Sequence, residues 1–206
     1  MMDEENLRSF RVLPVVTAHD VGKTVELARA LLKGGMGAIE ITLRTPAALQ
    51  AMEAVRSDVP AMQVAAGTVT NLHELEQVVD LGIDLALSPG CTAPLLAAAA
   101  AAPLTFIPGV ATASEVMLAK DHGMHVCKLF PATAVGGIGM LKALSGPFPD
   151  MQFCPTGGLN RDNFRDFLAL PNVVCCGGSW MVSSDLVDNT RWDEIEDLAR
   201  EAMSRH

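Results

Sequence analysis

Three ionisable residues sit in runs whose other members are largely apolar. Lys128 interrupts HVCKLF (125–130), and Glu40 and Arg44 punctuate AIEITLR (38–44). Lysine is almost never fully buried without a partner, so Lys128 has two readings: an edge-strand lysine that snorkels to water, or a reactive amine held in an apolar pocket. Side chains alternate faces along a strand. Glu40, Thr42 and Arg44 therefore share one face, and Ile39, Ile41 and Leu43 the other; Val126, Lys128 and Phe130 likewise share a face. If the apolar faces pack outward on helices, a carboxylate, a guanidinium and an amine enter one cavity. The structural alternative is a buried ion pair of Glu40 with Lys128 or Arg44. Such a pair is a poor source of stability, because desolvation costs several kcal/mol per ion.

The chemistry open to this trio is carbonyl chemistry. An amine kept partly dry beside a cation is more readily neutral, and a neutral amine attacks a ketone. Glu40 is suited to move protons during carbinolamine formation, dehydration and C–C cleavage, and Arg44 to clasp a substrate carboxylate through paired N–H groups. Farther along, PTGG (155–158) and CGGS (176–179) bring glycines to two strand ends. One glycine pair marks a turn; two, in loops that would follow the last two strands of a barrel, mark a site for phosphate or a similar anion, with Ser179 adding a hydroxyl. The histidines offer less: His122 and His125 form an HxxH interrupted by Gly123 and read as a solvated loop, while His19, His73 and His206 are scattered. Trp180 and Trp192 read as packing residues.

Eight strand-like runs must position these groups: 12–16, 38–43, 63–69, 85–89, 104–110, 125–130, 151–157 and 173–179. Helical stretches lie between them, with starts expected at Thr45 before Pro46, Asn71 with Glu74, Thr112 with Glu115 and Thr190 with Asp193. The alternation, without a linker, predicts an α/β fold: one (β/α)8 barrel over residues 1–206 with a short N-terminal helix. A doubly wound sheet is the alternative, but it calls for a GxGxxG turn after the first strand, where TAHDVGK stands instead. A barrel gathers polar residues where its strands end, so Thr17, Glu40, Arg44, Thr68, Pro89, Pro108, Lys128, Thr156 and Ser179 are expected to converge.

Bulk properties narrow the partners. Of the 206 residues, 50% are hydrophobic and 19% charged, which is globular, and the net charge of -9 argues against nucleic acid or an anionic membrane. No run approaches the roughly 18 apolar residues of a membrane span, and the acidic start MMDEENLRSF lacks the basic region of a secretory signal. A cytoplasmic protein is expected. Its five cysteines, lacking a CxxC pair, read as reduced and mostly buried.

Together GMGAIEITLRT (35–45), AAGTV (65–69), SPG (88–90), IPGV (107–110), KLFPA (128–132), FCPTGG (153–158) and GGSW (177–180) resemble the class I 2-keto-3-deoxy-6-phosphogluconate (KDPG) aldolases, also active as 4-hydroxy-2-oxoglutarate (KHG) aldolases. The resemblance runs in order over nearly the whole chain. It implies a trimeric (β/α)8 barrel that uses no metal or other cofactor and serves the Entner-Doudoroff route. Its reaction would be reversible cleavage of a keto acid to pyruvate plus glyceraldehyde 3-phosphate, or plus glyoxylate. Lys128 matches the Schiff-base lysine and Glu40 the general acid/base; Arg44 and Thr68 match residues holding the pyruvate carboxylate, with Thr156 at that end. On the same resemblance Pro89 and Phe130 are expected to line the pocket, and Gly157, Gly158 and Ser179 match contacts to the distal anion. Cys127 departs from the larger apolar residue usual there; by alternation it faces away from the cavity and bears on packing. An aldolase for the galactonate-derived epimer, a non-covalent phosphosugar isomerase or epimerase using Glu40, and a silent phosphate-ligand sensor are the competing readings.

Overall fold

The computed structural model describes residue 2 and residues 4 to 204, so His206 lies outside the described residues. Among the described residues nine strands form: β1 Val12–Val16, β2 Ala38–Thr42, β3 Gln63–Gly67, β4 Leu85–Leu87, β5 Thr105–Ile107, β6 Gly109–Val110, β7 Val126–Leu129, β8 Gln152–Phe153 and β9 Cys176–Gly178. Among the described residues ten α-helices accompany them, α1 Glu4–Phe10, α2 Val21–Lys33, α3 Ala48–Asp58, α4 Leu72–Asp80, α5 Ala93–Ala101, α6 Ala113–Asp121, α7 Gly137–Ser145, α8 Phe164–Leu168, α9 Ser184–Asp188 and α10 Trp192–Met203, with a short 3-10 helix at Trp180–Val182.

Every strand pairing is parallel, as expected when helices carry the crossovers. The expected continuous ring of eight strands is replaced by a curled six-stranded sheet in the order β5-β4-β3-β2-β1-β9 and a three-stranded sheet β6-β7-β8. One break falls inside the run 104–110, where Pro108 separates β5 from β6, since proline has no N–H to give a ladder. The other follows β8. There two isolated bridges, Phe153 to Val173 and Thr156 to Gly177, span three steps on one side against four on the other. That mismatch is bulge-like and interrupts regular pairing.

Burial sorts by parity. One cluster lies between sheet and helices and holds Ile39, Ile41, Cys127 and Leu129. The second joins Leu13, Ala38, Ala65, Leu85, Leu87, Ile107, Val126, Cys154, Val174 and Cys175, one or two from almost every strand or the residues flanking it, and α1 adds Leu7. Strand residues of the opposite parity therefore meet each other across a lumen that the N-terminal helix closes from below.

Helix starts were partly as expected. Asn71 accepts from Glu74 N–H, and Thr112 forms a reciprocal capping box with Glu115. Thr45 does not cap: it donates to the Ala18 carbonyl, and α3 begins later, after Ala47. Thr190 does not cap either, because its φ of 53° is left-handed and the cap position is taken by Arg191. Gly34 and Gly35 end α2, Gly35 with φ of 94°. Among the described residues, no helix is long and apolar enough to cross a membrane.

Candidate active site

The site is built on the polar continuation of the lumen. Ala38 and Val126 sit in its apolar layer, and two residues on, toward the strand ends, the same faces present Glu40 and Lys128. Lys128 is 3% exposed and Glu40 0%, and Lys128 Nζ donates to Glu40 Oε1 at 3.0 Å. The partner that permits burial of the lysine is thus the carboxylate on the far strand. Glu40 Oε2 is also buried, yet among the described residues it has no hydrogen-bond partner. A buried carboxylate oxygen left unsatisfied costs free energy and is available to a proton-bearing ligand. The Phe130 ring lies 5.5 Å from the ammonium, measured to its centroid.

Arg44 stands apart from this pair. It lies beyond the end of β2 and is exposed, with its Nε donating to Thr68 Oγ1 at 3.1 Å. Thr68 holds φ of 62°, a conformation strained for a β-branched residue, of the kind found at ligand sites. Thr42 is fully buried on the Glu40 face and donates to the Val16 carbonyl at 2.9 Å, tying β2 to β1.

A cavity of about 140 Å³ opens above Lys128, lined by Arg44, Phe130, Thr156, Gly157, Gly158 and Ser179 among others. Seven of the residues anticipated from sequence, Lys128 included, thus meet in one space. Glu40 lies behind it through Lys128, and Thr68 reaches it through Arg44. Pro89 is not among the lining residues. Its backbone backs onto Gly109, which is in register with Lys128. Thr17 is likewise outside the cavity, 3.4 Å from Thr42 Oγ1, and with Arg44 borders an adjoining groove of about 480 Å³ that continues over His19 and Lys23.

Sequence reasoning missed Val15 and Leu159 in the wall, while Gly177 and Gly178 enter it as part of the CGGS run. Val15 was within reach: it pairs in register with Glu40 on the lumen-facing parity of β1. Gly177 leaves room for a neighbour, since a Cβ there would lie 2.2 Å from Thr156 Oγ1. Gly157 and Gly158 hold φ of 98° and 80°, and consecutive backbone groups in such a turn form an anion-binding concavity.

Beneath the ion pair, Cys175 donates to Cys154 across 3.5 Å, and the hydrogen bond together with burial pushes the Cys175 thiol well above its ordinary range. Cys127 points to the outer layer, where burial above all, with Cys91 adding repulsion, pushes its thiol up to about 12. His122 caps α6 with Nδ1 2.9 Å from the Leu118 carbonyl oxygen, and His125 is exposed just before β7.

A buried amine paired to a half-satisfied carboxylate, below a guanidinium and a glycine-rich turn, suits Schiff-base chemistry on an anionic carbonyl compound. Comparison with known proteins agrees. The family model for KDPG and KHG aldolase matches residues 3–198. The chain is 44% identical over 201 residues to the 2-dehydro-3-deoxy-phosphogluconate aldolase of Dickeya dadantii (strain 3937), spanning 98% of this chain and 94% of that protein. It is 44% identical over 200 residues to the KHG/KDPG aldolase of Escherichia coli (strain K12), spanning 97% and 94%. The fold matches a crystal structure of KDPG aldolase from Legionella pneumophila, in which pyruvate was captured at low pH as a covalent carbinolamine intermediate. There the TM-score is 0.95 at 41% identity, covering 98% of this chain and 99% of that one. This chain belongs to the KDPG and KHG aldolase family.

Proposed function

We propose that this chain is a Schiff-base aldolase that reversibly cleaves 2-keto-3-deoxy-6-phosphogluconate to pyruvate and D-glyceraldehyde 3-phosphate, and 4-hydroxy-2-oxoglutarate to pyruvate and glyoxylate. The observation that carries the reading is the 3.0 Å contact of buried Lys128 with Glu40, whose second oxygen is unpaired. Lys128 Nζ attacks the C2 ketone, and Glu40 relays a proton to the carbinolamine oxygen, which leaves as water. The iminium then accepts the electron pair of the C3–C4 bond as Glu40 takes the C4 hydroxyl proton, releasing the aldehyde and leaving an enamine. Protonation at C3 and hydrolysis free pyruvate and return the amine. The iminium is itself the electron sink, so the bond cleavage calls on no metal or other cofactor.

Arg44 and Thr68 hold the pyruvate carboxylate, with Thr156 at that end. Phe130 and Pro89 shape the pocket, and Gly157, Gly158 and Ser179 receive the distal anion. The same proposal covers the whole chain as one (β/α)8 barrel, the two sheets joined around Pro108 and by the bridges near β9; the lumen cluster supports this. It extends, on the family resemblance, to a cytoplasmic homotrimer.

Incubation with pyruvate followed by borohydride tests the reading. A stable pyruvyl adduct mapping to Lys128 is expected in the wild type and not in Lys128→Met; a wild type that gains no mass would overturn the mechanism. Rates on the phosphorylated six-carbon and the unphosphorylated five-carbon keto acids then rank the two substrates.

A further inference from the structure

Strand β3 ends at Gly67, and nothing in its own backbone calls for glycine: unlike Gly157 and Gly158, it does not hold a left-handed φ. What it lacks is room for a side chain. A Cβ at Gly67 would lie 2.3 Å from Glu40 Oε1, 2.7 Å from Glu40 Cγ and 2.9 Å from Glu40 Cδ, all closer than real Cβ contacts. The conflict is with three atoms of one side chain, and Oε1 is the oxygen that accepts from Lys128 at 3.0 Å. Glu40 is 0% exposed, so the carboxyl arm cannot swing out into solvent to make room. In register, Glu40 lies opposite Ala65, and Gly67 is two residues on, on the same face. The carboxyl arm of Glu40 therefore leans diagonally along β3 toward Lys128, over the spot where a side chain would stand.

We propose that Gly67 is a positioning residue for proton transfer: its missing Cβ is the notch in which the Glu40 carboxylate lies, within reach of both Lys128 and the reacting carbons. This rests on the proton-relay role of Glu40 proposed above. Gly67 touches no reacting atom. It acts by fixing where Oε1 and Oε2 stand, and small displacements of a catalytic group cost large factors in rate.

Two readouts separate positioning from general damage to the strand. Trapping of pyruvate with borohydride reports the Lys128 amine. Exchange of pyruvate methyl protons for deuterium, followed by NMR, reports proton transfer at C3 through the enamine. Gly67→Ala is expected to reach the wild-type extent of trapping while methyl exchange falls about 100-fold, within the range for loss of a general acid or base. Glu40→Ala removes the clashing atoms, so adding Gly67→Ala to it should slow exchange by no more than about twofold; coupling of this kind is what a double-mutant cycle measures.

An equal loss from Gly67→Ala in both backgrounds would overturn the proposal, because the glycine would then act without Glu40. Unchanged exchange in the single variant would overturn it as well. Should Gly67→Ala fail to fold, recovery of soluble protein in Glu40→Ala/Gly67→Ala supports the notch, and failure of the double variant where Glu40→Ala alone folds sinks it. Glu40→Ala with undiminished exchange would instead remove the proton-relay role of Glu40, and this inference with it.

Discussion

Two lysine–carboxylate pairs in this molecule have nearly the same separation and opposite meaning. Lys120 on α6 meets Asp150 at 2.7 Å with side chains 43% and 54% exposed; Lys128 on β7 meets Glu40 at 3.0 Å with side chains 4% and 1% exposed. Distance would rank the surface pair as the stronger. Environment reverses the order of consequence. In water the two ions of the surface pair are already solvated and screened, so bringing them together changes little. In the lumen, each ion has given up its hydration, and the pair is held together partly because neither member can afford to be alone.

The largest effect should come from breaking the buried pair on one side. Lys128→Met leaves Glu40 with both oxygens unpartnered in a dry layer, and the expected loss is about 3–5 kcal/mol of unfolding free energy by urea titration, together with turnover. Lys128→Met/Glu40→Leu fills the same layer with apolar groups and should recover most of that stability with no turnover. If the single variant is as stable as the wild type, the lumen is wetter than its burial implies and the contrast with Lys120–Asp150 fails.

A second, smaller effect lies between the two extremes, at the half-buried Thr68. Its φ of 62° is strained, and its hydroxyl accepts from the exposed Arg44. Thr68→Gly relieves strain of about 1–3 kcal/mol against an entropic cost of about 0.5–1 kcal/mol for glycine. A net gain in stability of about 1 kcal/mol is expected. Loss of the hydroxyl that orients Arg44 should raise KM for the keto acid about tenfold, the equivalent of one hydrogen bond to a charged group. A variant that gains stability and keeps its KM would show that Thr68 bears strain for some purpose other than orienting Arg44.

How much of this was legible beforehand follows from the range over which each signal acts. The lumen parity of Glu40 and Lys128, and the outward turn of Cys127, follow from the period of two within a single strand. The strand ends do not: β8 covers two residues where a run of seven was expected, because pairing there depends on how the chain bulges against its neighbour. Capping by Asn71 and Thr112 was readable from local spacing, whereas Thr45 turned away to the Ala18 carbonyl of another loop. The left-handed Thr68 runs against its own residue preference. Gly67 could not have been read as a notch from β3 alone, since the atoms that need the space belong to β2 and are directed at β7.

The surface pair should give the smallest effect, and its pH dependence makes that measurable. The Asp150 carboxyl is held below the usual carboxylate range, first by the hydrogen bond from Lys120. An unfolded aspartate titrates at about 3.9, so folding lowers the value. The pair's contribution is therefore fully present above about pH 3.9 and is lost as the pH falls through the lowered folded value. Asp150→Asn is expected to keep full turnover and to shift the urea midpoint slightly at pH 7. That shift should shrink in 1 M salt and vanish once the pH is below the folded value, where wild-type Asp150 is neutral too. Salt offers no such escape for Lys128→Met, whose deficit lies in a layer that ions do not screen. A midpoint difference for Asp150→Asn that survives both salt and acid would mean that Asp150 contributes through packing, and that the two pairs differ less than their exposure suggests.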